Sequence, residues 1–480
     1  MPTFKSQPFA AALCTALLLC ACRNTDIAAD SGIRLPEQFG QNQAARGSAD
    51  IGAWWRQWRD PVLDSLIERA LAQNFDIKIA QSRLKEARAQ ARLAQADLGP
   101  AAGLSAQAAA SRGRVDNPLD NPLRARLPQQ AADDSFKTQS SLAAAGFSAS
   151  WEPDIFGQKR SDADAARHAA DGYREAVYGA RLLAAADTAD HYFQARAAQG
   201  RLKTAERSTA ALQKLLRYVS ARFAAGHVSA YEVEQTRAAL ASAQAKQSTI
   251  AAEYAAHVRA IAVLTGQVPQ NFVLPDSSAD VLADQPDAPS GQTPQGLLER
   301  RPDLRAAAAE VRAYAAKLAS AKADLLPRFS IRFLGQSGRI DLDSTDLKGW
   351  NSLVSVGIRL PLFTNGRISA NIQAADARLQ SALLRYDRTL LTALGEVDTA
   401  YQGQSALTRQ NALLQTALGR SEQQAADAQR LFRYGNITLD SALKAELAAQ
   451  EARENLIRSQ LARAQAALGL YKSLGGGWSE

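Results

Sequence analysis

The sequence predicts a mostly α-helical fold with a small β part, arranged as two internal repeats within a 480-residue chain. Three observations predict it. No proline occurs between Pro153 and Pro269, or after Pro361, so two windows of more than one hundred residues each lack a strong helix breaker. Four short segments alternate apolar and polar residues with period two, the mark of strands with one apolar face. Landmarks of the first half recur in the second at nearly constant spacing, as in a duplicated unit.

The chain opens on a segment unlike the rest. Lys5 supplies a positive start, and Phe9 to Ala21 forms an apolar run of 13 residues, too short to span a bilayer as a helix. Residues 1-21 therefore read as an export signal peptide. Its end, Leu19-Cys20-Ala21-Cys22, resembles the bacterial lipobox, whose last Cys is acylated, with palmitate among its chains, and becomes the mature N-terminus. Acyl chains on Cys22, at about 0.8 kcal/mol per buried methylene, would anchor the chain durably. Arg23 follows, where likeness to enterobacterial lipoproteins implies that Asp would favour inner-membrane retention, so outer-membrane sorting is permitted. With no Cys after Cys22, the mature chain can form no internal disulfide.

The first helix of each repeat is marked by matching ends. Asn74-Phe75-Asp76-Ile77 begins a stretch that ends at Pro100, and Arg301-Pro302-Asp303-Leu304 begins one that ends at Pro327, both at a step of 227. Phe156 to Phe363 is a step of 207 and Gly226 to Gly435 one of 209, which places about 20 extra residues of the first half between Pro100 and Phe156. Each half reads helix, hairpin, long helix, Gly turn, helix. In the second half Leu379, Leu383, Tyr386, Leu390, Leu394, Val397 and Tyr401 form one apolar stripe at helical spacing. Arg160 to Phe223 is 64 residues, which as an unbroken helix would reach about 95 Å.

The strands come next in the argument. Phe329, Ile331 and Phe333, then Val354, Val356, Ile358 and Leu360, alternate with polar or small residues. Leu104, Ala106 and Ala108, then Phe147, Ala149 and Trp151, do so in the first half. Each segment spans about 9 to 12 residues, enough for a tilted strand to cross an outer membrane. Arg332 and Arg359 fall on the polar face, where they would line a wet lumen. The joining loops, roughly 112–139 and 338–351, are polar and would face outside. Four strands cannot close on themselves, and an open edge in lipid costs several kcal/mol per unpaired group. Membrane-spanning strands would therefore demand oligomerisation, with eight strands in a dimer or twelve in a trimer.

Composition excludes other classes. The net charge is +8, and its 56 Lys and Arg are interleaved with 48 Asp and Glu, without the basic stripe and stacking aromatics that nucleic acid needs. His168, His191, His227 and His257 show no ligand-like spacing, so no metal or cofactor is expected. Ser82-Arg83-Leu84-Lys85 fits a Ser-x-x-Lys pattern but lies mid-helix without companion motifs, so no enzyme activity is expected. Gly475-Gly476-Gly477 reads as a flexible C-terminal turn, too near the chain end for a phosphate-binding helix.

Trp54-Trp55-x-x-Trp58-x-Asp60-Pro61-x-Leu63, Arg301-Pro302-Asp303, Leu360-Pro361-Leu362-Phe363-x-x-Gly366-Arg367 and the ending Leu470-Tyr471-Lys472-Ser473-Leu474-Gly475-Gly476-Gly477-Trp478 resemble, in this order, the outer-membrane factor (TolC-like, NodT-type) lipoproteins of tripartite drug-efflux systems. The resemblance implies a homotrimer with one twelve-stranded transmembrane β-barrel, four strands per chain, continued by a long periplasmic α-helical barrel. It implies a passive exit duct in the outer membrane. Its partners would be a periplasmic adaptor and an inner-membrane transporter of the resistance-nodulation-division class, besides the surrounding lipid. The layout would be a lipid-anchored segment 22-60, a first repeat 61-265 with a hairpin at about 101-152, and an equatorial linker 266-295. A second repeat, 296-468 with a hairpin at about 328-361, and a tail 469-480 would follow.

Within that frame, the turns Gly226-His227-Val228-Ser229 and Gly435-Asn436-Ile437-Thr438 place Gly where a helix ends left-handed and Ser or Thr where the next is capped. The resemblance makes Gly226, Val228, Ser229, Gly435, Ile437 and Thr438 adaptor contacts. Relatives carry pore-facing aspartates just after the second tip; here those positions are Ser441 and Lys444, with Asp440 one residue earlier, so Asp440, Ser441 and Lys444 are the candidate gate. A type I protein-secretion duct shares this architecture, and a non-channel periplasmic coiled-coil scaffold lipoprotein would share the helices.

Overall fold

The computed structural model describes residues 31–40, 45–116, 120–124, 126, 128, 135–342 and 345–477. Cys22 and the expected signal peptide lie outside them. The described residues fall into two compact units, one built from residues 88–168 and 312–380, the other from 30–87, 169–311 and 381–480.

The first unit holds the sheet. Strands β1 (Ala101–Asp116), β2 (Ser135–Trp151), β3 (Arg328–Leu342) and β4 (Thr345–Arg359) pair in that order, all antiparallel. The two hairpins form one continuous sheet through β2 and β3, and β1 and β4 are its edges. The strands run 15 to 17 residues, longer than the 9 to 12 expected. Residues 112–116, 135–139, 338–342 and 345–351, expected as loop, are therefore strand. There the face that is apolar elsewhere turns polar and the apolar residues move to the other face, as at Ile340 opposite Leu347, while main-chain pairing continues alongside polar side-chain pairs. Ser111 and Ser140 hydroxyls meet at 2.9 Å, Arg114 Nε donates to Ser135 Oγ at 2.8 Å, and Arg339 pairs with Asp341 at 2.8 Å and Asp346 at 3.0 Å. At the other end of the sheet, Trp151 Nε1 donates to Leu98 O at 3.0 Å and Gln158 Nε2 to Asp324 Oδ1 at 2.9 Å.

The second unit is helical and contains the main core. Across both units, helices α1 (Pro61–Gln73), α2 (Phe75–Ala96), α3 (Asn121–Arg124), α4 (Gln158–Ala224), α5 (Ala230–Leu264), α6 (Pro294–Arg300), α7 (Pro302–Ala323), α8 (Arg367–Arg433) and α9 (Leu439–Ser473) follow in chain order, interleaved with the strands, α3 lying wholly in the first unit. The duplication is regular. Helices α2 and α7 both have 22 residues at a step of 227, α4 and α8 both have 67 at a step of 209, and α5 and α9 both have 35 at a step of 209. The extra residues of the first half number 18 and sit between α2 and α4, and Gly157 rather than Phe156 sets the register, matching Gly366 with φ of 78° and 80°. Four helices end alike, with Gly226, Gly266, Gly435 and Gly475 left-handed, each donating to the carbonyl three residues back while the next N–H reaches five back. That is the Schellman ending, which glycine adopts without a Cβ clash.

The family-like motifs turn out to be core contacts. Trp54, Trp58, Tyr192, Phe193 and Tyr471 are fully buried, with Trp54 stacked on Tyr471 at 5.4 Å and Trp58 tilted against Phe193 at 5.2 Å. Asp60, also buried, caps α1 by accepting from Val62 N at 2.9 Å. It accepts from Ser277 Oγ at 2.9 Å and from the Tyr192 hydroxyl as well. Burial first, and that bond to Asp60 second, push the Tyr192 phenol well above its ordinary range. The apolar stripe of α8 is the packed face of its helix: Leu379, Leu390, Val397 and Tyr401 are buried and Leu383, Tyr386 and Leu394 half-buried. The glycine run is a close-packed joint and not a loose turn. A Cβ on Gly476 would come 2.7 Å from Ile51 O, and Gly477 N donates to that same carbonyl at 3.0 Å.

Candidate functional site

Two regions carry the candidate functional residues, and the first is the sheet. Its register is unbroken, so opposed residues share a face. Leu104 lies opposite Phe147, Ala149 opposite Phe333, Phe333 opposite Val354, Ile331 opposite Val356, and Phe329 opposite Ile358. All four apolar sets therefore fall on one face, and that face is bare: Leu104 is 87% exposed and Val356 72%. Trp151 and Trp350, also on this face, stand at the Ile331 and Ser337 levels, six residues apart along β3, or roughly 20 Å. An apolar band bordered by aromatic residues is the outward surface of a membrane barrel. Among the described residues no helix is long and apolar enough to cross a membrane. Arg332 and Arg359 lie on the opposite face, which also carries Ser330, Ser355, Gln336 and Asn351 with Leu334 opposite Leu353 among them, and both arginines are exposed.

The second region comprises the two helical turns. At the first, Ser229 N and Oγ both donate to the Glu232 carboxylate, at 2.6 and 2.9 Å, and Val228 packs on a small core of Leu212, Leu215, Val219, Val233 and Leu443. At the second, Thr438 Oγ1 accepts from Ser441 N at 3.3 Å and meets the Ser441 hydroxyl at 3.1 Å. Ser441 thus stands where the first repeat has Glu232, the same step of 209 away, and its role here is to close a cap. Asp440 and Lys444 pair with each other at 3.1 Å along one helix face. Asp440 in the first turn of α9 is favoured by the helix dipole. Ile437 and Ser441 line a groove between α8 and α9 that also holds Asp427, whose carboxyl is kept below its usual range by hydrogen bonds from Arg430 and Gln423.

Sequence reasoning missed the large exposed apolar and aromatic groups at these turns. Tyr231 is 72% exposed and Tyr434 81%, with Phe223 and Leu431 close to half exposed beside them. The signal was present as large apolar residues flanking a Gly turn, where a helix end would otherwise be polar. It also missed a buried carboxylate network. Glu454 of α9 accepts from Lys246 of α5 and from Arg458 at 2.7 Å, with Arg201 of α4 at 3.7 Å. Burial works to raise its carboxyl, but Lys246 and Arg458 together bring it below the ordinary value. Nor did spacing reveal that His191 and His257, 66 residues apart, meet at Nδ1–Nδ1 3.1 Å. Burial and the charge of His191 lower His257 against the opposing pull of Asp190 and Glu253. Among the described residues no three His, Cys, Asp or Glu converge to hold a metal ion.

The whole chain has known counterparts. The family described as outer membrane efflux protein matches residues 66–267 and 293–476. The pyoverdine export outer membrane protein OpmQ of Pseudomonas aeruginosa is 31% identical, over 96% of this chain and 95% of its own. The cation efflux system protein CusC of Escherichia coli is 26% identical over the full length of both chains. The solved outer-membrane channel OprN is 26% identical and superposes with a TM-score of 0.78, covering 94% of this chain and 98% of its own. The chain belongs to the outer membrane efflux protein family and is an outer-membrane channel of an efflux pump.

Proposed function

We propose that three copies of this chain close their four-stranded sheets into one twelve-stranded barrel and form the passive exit duct of a tripartite efflux pump. The observation that carries this reading is the sheet itself: one face with an exposed apolar band, the other mixed, with Arg, Ser, Gln and Asn beside a few leucines and Ile340, and two unpaired edges. In lipid those edges must find partners, and copies of the same sheet supply them. The duct catalyses no chemistry, and the driving force comes from an inner-membrane transporter of the resistance-nodulation-division class. Acyl chains on Cys22 hold the N-terminus in the outer membrane.

The periplasmic adaptor docks on the two turns. Gly226, Val228, Ser229, Gly435, Ile437 and Thr438 shape them, and Tyr231 and Tyr434 offer exposed aromatic surface of the kind enriched at interfaces. OpmQ is named for pyoverdine export and CusC for cation efflux, which supports a duct that passes unlike compounds, drugs and toxic small molecules among them. Asp440 and Lys444 neutralise one another, so constriction near the second turn rests on this pair and on side-chain bulk more than on net charge. Replacing both, Asp440→Asn with Lys444→Gln, is expected to raise the conductance of the closed trimer; an unchanged conductance removes them from the gate.

Electron microscopy of the detergent-extracted full-length protein tests the assembly. Threefold particles, long along the symmetry axis, are expected. A monomer, or a twofold particle, overturns the reading.

A further inference from the structure

The polar face of the sheet gathers its charge at one end. Arg328, Arg332 and Arg359 lie on it, whereas Asp116, Asp341 and Asp346 fall on the other face, so within the described strands this face has three guanidinium groups and no carboxylate, and Glu152, just past β2, is paired with Lys159 at 3.4 Å. Arg359 is directly opposite Arg328, and Arg332, four residues further along β3, sits between Ser150 and Ser355. The three span about 13 Å of strand. Arg328 is paired with Asp324 just before the strand, while Arg332 and Arg359 have no ion-pair partner among the described residues.

Sheet stability does not account for this corner, since like charges directly opposed across strands are destabilising. Lipid headgroups do not account for it either, because at the same levels Phe329, Ile331 and Trp151 occupy the outward face. A function that needs unpaired positive charge on the inner wall accounts for both facts.

We propose that Arg332 and Arg359, with Arg328 behind them, form an anion-attracting collar at the base of the barrel lumen. It makes the duct favour cargo bearing carboxylate, sulfonate or phosphate groups over cationic cargo of similar size. The inference rests on the channel reading, because only a closed barrel brings three such corners around one lumen. Fixed charges of one sign on a low-dielectric wall concentrate counter-ions in the adjoining water, and the effect fades as added salt shortens the screening length.

A single cysteine in place of Ser355, across from Arg332, reads the local potential. The sequence has no cysteine after Cys22, so the background is clean. Intact cells carrying Ser355→Cys are treated from outside with the anionic reagent 2-sulfonatoethyl methanethiosulfonate or the cationic 2-trimethylammonioethyl methanethiosulfonate. Each labelling rate is divided by that reagent's rate with free cysteine. At about 0.02 M salt the anionic-to-cationic ratio is expected to exceed one by roughly threefold or more, and to approach one at about 0.5 M. Arg332→Gln with Arg359→Gln should bring it close to one at low salt, and Arg332→Lys with Arg359→Lys should keep it high. A ratio of one in the Ser355→Cys protein, or one that the double Gln change leaves high, overturns the collar while leaving the channel standing. If neither reagent reaches the introduced thiol in any background, the face lines no water-filled pore, and the channel reading falls together with the collar.

Discussion

Replacing Val354 with arginine is expected to remove assembled channel from the outer membrane, whereas the same change at Asn351 leaves assembly largely intact. Both residues lie in β4, three positions apart and on opposite faces: Val354 faces Phe333 across the β3–β4 pair, and Asn351 faces Gln336. Val354 lies between the levels of Trp151 and Trp350, inside the apolar band and 66% exposed. Arginine on the lipid face near the bilayer centre costs about 2–4 kcal/mol, while lumen substitutions mainly tune selectivity. In a trimer the cost falls on all three copies at once, and it is comparable with the whole stability of many folded chains. Heat-resistant oligomer on a gel, quantified from outer-membrane fractions, reads the outcome. A Val354→Arg protein that assembles like the parent, or an Asn351→Arg protein that is equally depleted, would mean that the two faces have been assigned wrongly.

That contrast was legible in the sequence, because period two is a local property and the register merely lines up four alternating segments. The repeat was legible for the same reason: matched glycines at Gly226 and Gly435 mark the same helix ending in both halves. What failed to show locally had causes at a distance. The outer strand segments around Ser111, Arg114, Arg339 and Asp346 carry polar and charged residues on the face that is apolar elsewhere, so they read as loop, although cross-strand partners keep them paired. The approach of His191 to His257 depends on how α4 and α5 pack, which no spacing of four scattered histidines can reveal. Gly475-Gly476-Gly477 read as slack chain because its reason, the Ile51 carbonyl, lies more than four hundred residues earlier. At the turns, Gly, Ser and Thr were visible through capping chemistry, and the pairing of Asp440 with Lys444 was implicit in their spacing of four on a helix.

Arg301 is a further case of a motif seen before its reason, and its replacement is the other large effect expected. The residue is 8% exposed. It donates from Nε and Nη2 to Asp303 at 3.0 and 2.7 Å, and from Nη1 to Glu396 at 2.8 Å and to Ser473 O at 2.9 Å. One side chain thus ties the start of α7 to α8 and to the end of α9. The first repeat has Asn74 at the equivalent place. It caps α2 by accepting from Asp76 N at 2.8 Å and donates to Leu264 O at 3.1 Å, the counterpart of Ser473 O. The charged version should matter more, because removing one partner of a buried pair costs about 3–5 kcal/mol. The Asp303 and Glu396 side chains are 48% and 49% exposed, so solvent screening reduces that to about 2–3 kcal/mol for Arg301→Gln. Asn74→Ala should cost about 1 kcal/mol as a lost cap. Acidity separates charge from packing. Burial works to raise the Asp303 carboxyl, but the hydrogen bonds and charge of Arg301 bring it below the ordinary value. A carboxyl depressed on folding contributes stability that is fully present above its unfolded pKa, about 3.9, and is lost as pH falls through the lower folded value. The gap in melting temperature between parent and Arg301→Gln should therefore be full at neutral pH and shrink below about pH 4. A gap that persists unchanged in acid would mean that Arg301 acts through its bulk and its bond to Ser473 O, with the carboxylates as bystanders.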